Sequence, residues 1–254
     1  MSIKSPFLLL AAFFLAACSE TKNDQADLPP ANTYTLVFLD KTQSVNPNDT
    51  FVKTKYASAM KNLVDTHIRT EGDVLEVYFI HENTSKARAL TVRSRTSKED
   101  THGLSPTDQE AANNAYDLSI KKERQMIYTA LMQKFMESNS SASNSETNIS
   151  AGVPVITAAL ETHPEVKAYF FSDMVESMRS GRDFHSRAPQ SQEQSVAWAK
   201  EDAARYTSGG LSGADVYMIL PFSPNSSSKI NNPNVTAYWK TFFGELGVGK
   251  VVEQ

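Results

Sequence analysis

Three stretches of the chain put side-chain oxygens where an apolar segment ends. In YTLVFLDKTQS (34–44) a run of apolar and β-branched residues stops at Asp40, and two hydroxyls follow at alternate positions, Thr42 and Ser44. Thr147-Asn148-Ile149 places a hydroxyl just ahead of a helical segment, and Phe171-Ser172-Asp173 closes another apolar run with a second carboxylate. Carboxylates and hydroxyls are hard donors, suited to a hard divalent cation rather than to metals that select thiolate or imidazole. Each residue also has a plainer reading. Asp forms turns at strand ends, and Ser or Thr caps helices. Convergence of the three stretches decides between these readings.

The elements that would bring them together follow from periodicity. The run at 34–40 has no helical period and no polar face, as expected of a strand buried on both sides of a parallel sheet. In such open sheets ligands sit beyond the carboxyl ends of the strands, which is where Asp40, Thr42 and Ser44 fall. Val52, Tyr56, Ala59, Leu63 and His67 predict a helix over 50–69, and a strand follows at 74–80. His67 has no accompanying metal-ligand spacing and reads as a helix residue turned to the core. Weak alternation at 87–93 predicts a short antiparallel edge strand. Ser105-Pro106-Thr107-Asp108 is a helix start, and Tyr116, Ile120, Ile127, Leu131 and Phe135 carry one face of that helix to Met136. The Ser/Asn-rich stretch at 138–146 reads as a mobile loop. A helix is expected from near Ser150 to Glu161, since Pro154 is tolerated only in a first turn. A strand at 166–171, an irregular excursion at 174–194, a helix at 195–207 stopped by Gly209-Gly210, a strand at 215–220 and a helix at 234–246 complete the order. Alternation of this kind predicts an α/β fold: a Rossmann-like open sheet, mostly parallel with one antiparallel edge strand, and helices on both faces. One domain over 33–254 accounts for it.

The chain has 254 residues, enough for a full core, and its formal net charge of −4 argues against nucleic acid as a partner. Residues 1–17 read as a signal peptide: Lys4 precedes a short apolar run that ends in Leu15-Ala16-Ala17-Cys18. This end resembles a bacterial lipobox, which implies acylation of Cys18, a lipid anchor and a place in the cell envelope. Ser19 after the cysteine points, by the same resemblance, to the outer membrane, facing the periplasm. Cys18 is the single cysteine, so an intramolecular disulfide is excluded. The polar segment 18–32 reads as a flexible tether.

Asp40-x-Thr42-x-Ser44 resembles the Asp-x-Ser-x-Ser signature of von Willebrand factor A domains, where it opens the metal-ion-dependent adhesion site. That family also carries a threonine in a Gly-Thr-Asn-Ile-like loop and an aspartate after the next buried strand, which match Thr147 and Asp173. Thr42 stands where the family has serine, and Glu146 where it has glycine. The resemblance spans roughly 34–246. It implies that Thr42, Ser44 and Thr147 offer hydroxyls and that Asp40 and Asp173 offer charge to Mg2+ or Mn2+. The open coordination position would take an acidic group from a protein or peptide ligand, with no catalysis. Glu176 is a further acid nearby, able to compete with that group or to face solvent.

Phe38-Leu39-Asp40-Lys41-Thr42 also resembles the Asp-Lys-Thr loop of haloacid-dehalogenase-like phosphotransferases. That resemblance implies an Asp40 nucleophile, with Asp173 and Glu176 holding Mg2+. Against it, Thr42 occupies the place of the usual general-acid aspartate. A third reading is a metal-free structural envelope subunit whose partner docks on the long helix at 105–136. No nucleophile elbow, P-loop or dinucleotide fingerprint appears.

Overall fold

The apolar run at 34–40 forms β1 (Tyr34–Asp40), and every residue in it after Tyr34 is buried. The computed structural model describes residues 32–138, 146–223 and 226–254. The signal peptide, Cys18, nearly all of the tether and most of the Ser/Asn-rich loop lie outside the described residues. The other strands are β2 (Val74–Ile80), β3 (Arg88–Arg93), β4 (Val166–Phe171), β5 (Ala214–Ile219) and β6 (Lys250–Glu253). They form one sheet in the order β3-β2-β1-β4-β5-β6, in which only β3 runs antiparallel to its neighbour.

A strand in the middle of such a sheet must be apolar on both sides, and β1 is. Leu36 and Phe38 enter one core, and Val37 and Leu39 the other. The first core is closed by α3 (Gly152–Leu160), α4 (Gln192–Ala203) and α5 (Pro233–Glu245). The second is closed by α1 (Thr50–His67) and α2 (Pro106–Met136). Each buried Leu or Phe contributes about 1.5–3 kcal/mol, so β1 is a rigid platform for the loop at its carboxyl end. The predicted α/β sheet with helices on both faces is the observed one.

Local chemistry sets the ends of the long helix. Ser105 Oγ accepts from Asp108 N at 3.3 Å, and Pro106 occupies the first turn, where no amide is needed. At the other end Lys41 Nζ, one residue beyond β1, donates to the carbonyls of Lys134, Phe135 and Glu137, each at 2.7 Å. An ammonium among the last carbonyls of a helix is favoured by the helix dipole. It fastens the end of α2 beside the end of β1. Met126 and Met136 are exposed on this helix, while Ile120, Ile127, Leu131 and Phe135 carry its packing.

Two elements depart from expectation. β6 has no counterpart in the elements expected from the sequence: KVVE is short, and its ends are charged. It exists because β5 offers an open edge for it to pair with. α4 begins at Gln192 rather than 195, because Ser191 Oγ accepts from Gln194 N at 3.2 Å while Gln194 Oε1 accepts from Gln190 N at 2.7 Å. This is a reciprocal cap. His67 lies in the core, its Nε2 2.7 Å from Tyr169 Oη, and burial lowers its pKa to about 4.

Candidate metal centre

From β1 the chain passes to β2 on one side, while β4 lies on the other. The strand order therefore reverses between β1 and β4, and a crevice forms beyond their carboxyl ends. Asp40 is the last residue of β1, and Ser172 and Asp173 follow β4 directly. The topology thus sets two carboxylates from distant parts of the chain at one switch point.

Asp40 is buried and fully engaged. Its Oδ1 accepts from Thr42 N at 2.8 Å and from Thr42 Oγ1 at 2.5 Å, and its Oδ2 accepts from Ser172 Oγ at 2.6 Å. Thr42 Oγ1 lies 3.1 Å from Ser44 Oγ, so the alternate hydroxyls of the motif are neighbours in space. Asp173 is buried too, and its Oδ1 accepts from Val175 N at 2.9 Å. The Asp40–Thr42 contact is an Asx turn, so the turn-forming reading is correct as far as it goes. It does not explain why a turn former is buried beside a second carboxylate.

The third stretch arrives through the loop after β4. Thr147 and Ser177 exchange both backbone hydrogen bonds, each at 2.9 Å. Glu176 Oε2 accepts from Ile149 N at 2.8 Å and Ser150 N at 3.0 Å, and its Oε1 accepts from Ser150 Oγ at 2.7 Å. Gly152 lets α3 start against the stacked rings of Phe38 and Phe170, where an added Cβ would meet Phe170 Cζ at 3.1 Å. Thr147 is consequently buried in the loop that flanks Asp173. Ser172 joins the end of β4 directly to Asp40, and the third stretch is tied to the loop after β4 through Ser177 and Glu176.

Electrostatics separates this cluster from an ordinary turn. Burial, reinforced by the charge of Asp173, pushes the Asp40 pKa from 3.8 up to about 7 despite its hydroxyl and amide donors. Burial also raises Asp173, while the Val175 amide, Ser44 and His185 draw it back down. Two carboxyls held in a dry crevice resist ionising unless positive charge joins them. Among the described residues no group of three or more His, Cys, Asp and Glu side chains is placed to hold a metal. Hydroxyls must therefore complete any ligand set, and Thr42, the exposed Ser44 and the buried Ser172 stand near Asp40. Two carboxylates with hydroxyls fit a hard divalent cation that retains water.

Several residues serve the site without a motif to announce them. Ser172 orients Asp40 and accepts from Met174 N at 3.0 Å. Met174 sits at φ 60°, a strained conformation for a side-chain-bearing residue, and its carbonyl accepts from Trp239 Nε1 of α5 at 2.7 Å. Glu176 neither faces solvent nor stands free to meet a partner, since both its oxygens hold the 149–150 turn. The phosphotransferase reading asks Glu176 for Mg2+ and Lys41 for a reactive loop; the one is committed to that turn and the other to the end of α2.

No protein-family profile matches the chain, and no curated protein matches it. Solved structures that align with it include proximal thread matrix protein 1 of the mussel byssus, at 14% identity over 88% of this chain and 42% of that one, with a TM-score of 0.31. A second structure of that protein, described as having a zinc-occupied MIDAS motif, aligns at 14% identity over 88% of this chain and 41% of that one, with a TM-score of 0.31. A von Willebrand factor type A structure from Catenulispora acidiphila aligns at 13% identity over 85% and 42%, with a TM-score of 0.29. The chain thus spans about two fifths of each. Likeness this faint decides nothing about function.

Proposed function

We propose that the protein is a von Willebrand factor A-like binding module that captures an acidic group of a protein or peptide partner through a divalent cation. Asp40, Thr42, Ser44, Thr147 and Asp173 would hold the cation, Mg2+ or Mn2+. A bound cation supplies positive charge and an open coordination position for a partner's carboxylate. The observation that carries this reading is the pair of buried carboxyls, Asp40 and Asp173, set beside neighbouring hydroxyls at the switch point of the sheet.

The chain's own residues do the positioning. Ser172 and Thr42 fix both oxygens of Asp40. Glu176 fixes the loop that carries Thr147, and exposed Ser44 marks the side from which a ligand approaches. The protein is not a catalyst in this reading: Asp40 serves as a ligand and not as a nucleophile. Acylation of Cys18 would tether the module to the bacterial envelope, at the outer membrane facing the periplasm.

The test is thermal. Mn2+ or Mg2+ is expected to raise the Tm of the wild type and to leave Asp40→Ala unmoved. A wild-type Tm indifferent to both cations rejects the site. For the anchor, metabolic labelling with a tritiated fatty acid is expected to mark the wild type and not Cys18→Ser; equal labelling of both rejects it.

A further inference from the structure

A groove of about 490 Å³ opens at the candidate centre, and Ser44 and Asp173 are among the residues that line it. Its lining is mixed: Val175, Phe184, Phe222, Val235 and the exposed Ile230 are apolar, set among polar residues such as Asn232 and Thr236. Its volume is in the range of about 300–1,000 Å³ typical of ligand pockets. Ile230 is 59% exposed in a loop whose neighbours Ser228, Lys229 and Asn231 are polar. Lys229 and His185 stand at the groove as well, and Asp173 is its one carboxylate.

We infer that this groove reads a second side chain of the partner: a bulky apolar residue two positions from the acid that meets the cation. The inference rests on the metal reading above. In an extended segment, side chains two apart lie on the same face. An acid that reaches a cation beside Asp173 therefore presents the residue two positions along to the same groove. Leu, Ile, Met or Phe there would cover Ile230 and the other apolar residues of the lining. A basic residue there would meet Lys229 with like charge and find only Asp173, already engaged by the cation. The occupant that fits is an acidic, apolar segment of a protein, of the form Asp-x-Leu.

The experiment uses 15N-labelled protein in excess Mg2+ and the peptides acetyl-GGDGLG-amide, acetyl-GGDGGG-amide and acetyl-GGDGKG-amide. Titration followed by amide shifts is expected to show the leucine peptide binding about tenfold or more tightly than the glycine peptide, and the lysine peptide weakest. The Val175 and Val235 amides should move with leucine only. Ile230→Asp should bring the leucine and glycine peptides to within about twofold of one another and leave the Mn2+-induced rise in Tm intact, because the substitution is at an exposed rim. Equal binding of the leucine and glycine peptides, with that rise present, overturns the groove and leaves the metal site standing. A lysine peptide that binds best overturns it too. Absence of the rise in the wild type overturns the metal reading, and the groove assignment falls with it.

Discussion

Asp40→Asn replaces one oxygen by an amide nitrogen and removes one charge, and the two readings of Asp40 predict opposite results. Moving a carboxyl from 3.8 to about 7 means that its ionised form, above neutrality, is disfavoured in the fold by about 4 kcal/mol. Asn is free of that cost. Its Oδ1 can keep both bonds from Thr42, but its Nδ2 must use Ser172 Oγ as an acceptor, and that oxygen already accepts from Met174 N. The crowded donor gives back about 1 kcal/mol. A net gain of about 3 kcal/mol corresponds to a Tm rise of roughly 6–12 °C for a chain of this size. Calorimetry at pH 7.5 in EDTA should find the variant more stable than the wild type. With Mn2+ at about a hundred times its Kd the wild type should gain about 2.7 kcal/mol, and the variant little or nothing. A variant less stable in EDTA that keeps its response to Mn2+ would show that Asp40 is a charged turn former, with no part in holding a cation.

Other outcomes follow from the same geometry. The folded forms of Asp40 and Glu176 hold their protons up to about pH 7, whereas the unfolded chain releases them near 3.8 and 4.5. These two groups should therefore cost stability in EDTA as the pH rises from about 4 to 7, by up to about 1.4 kcal/mol per pH unit for each, while His67, lowered to about 4, offsets one of them up to about pH 6.5; urea titrations at pH 4.5, 5.5 and 7 should show stability falling with pH, and less steeply in Asp40→Asn. Lys41→Met removes three bonds to the carbonyls that end α2 and should cost about 2 kcal/mol, with faster amide exchange confined to the last turns of that helix. Met174→Gly should relieve the positive φ but delete a side chain buried in the core, so denaturant titration should find a net loss of about 2 kcal/mol or more; a midpoint at or above that of the wild type would show that the relieved strain outweighs the lost packing.

Much of the sheet is legible in the sequence because both period and composition mark it. β1, β2, β4 and β5 are runs of apolar and β-branched residues, and weak alternation suffices for β3 because one face of an edge strand is wet. α2 announces itself through Ser105 and Pro106. β6 is decided by its partner and not by its own pattern, so four residues with charged ends give no signal. The start of α4 does carry a signal, Ser191 three residues before Gln194, hidden in a segment without hydrophobic period. At the site, the alternate spacing of Asp40, Thr42 and Ser44 and the position of Asp173 after an apolar run indicate the edge where they meet. The supports behind them are not readable. Ser172, Glu176 and Trp239 act through contacts 26 to 132 residues apart in sequence, and Lys41 looks like part of the motif until α2 is seen to end beside it. The groove depends on three loops whose polar sequences show no pattern.

Anomalous scattering from a Mn2+-soaked crystal would decide whether the crevice holds a cation. A single strong manganese peak is expected, bounded by Asp40, Thr42, Ser44, Thr147 and Asp173, and absent from an Asp40→Ala crystal soaked in the same way. A well-ordered crevice with no peak, or a peak elsewhere with these residues unchanged, would contradict the assignment.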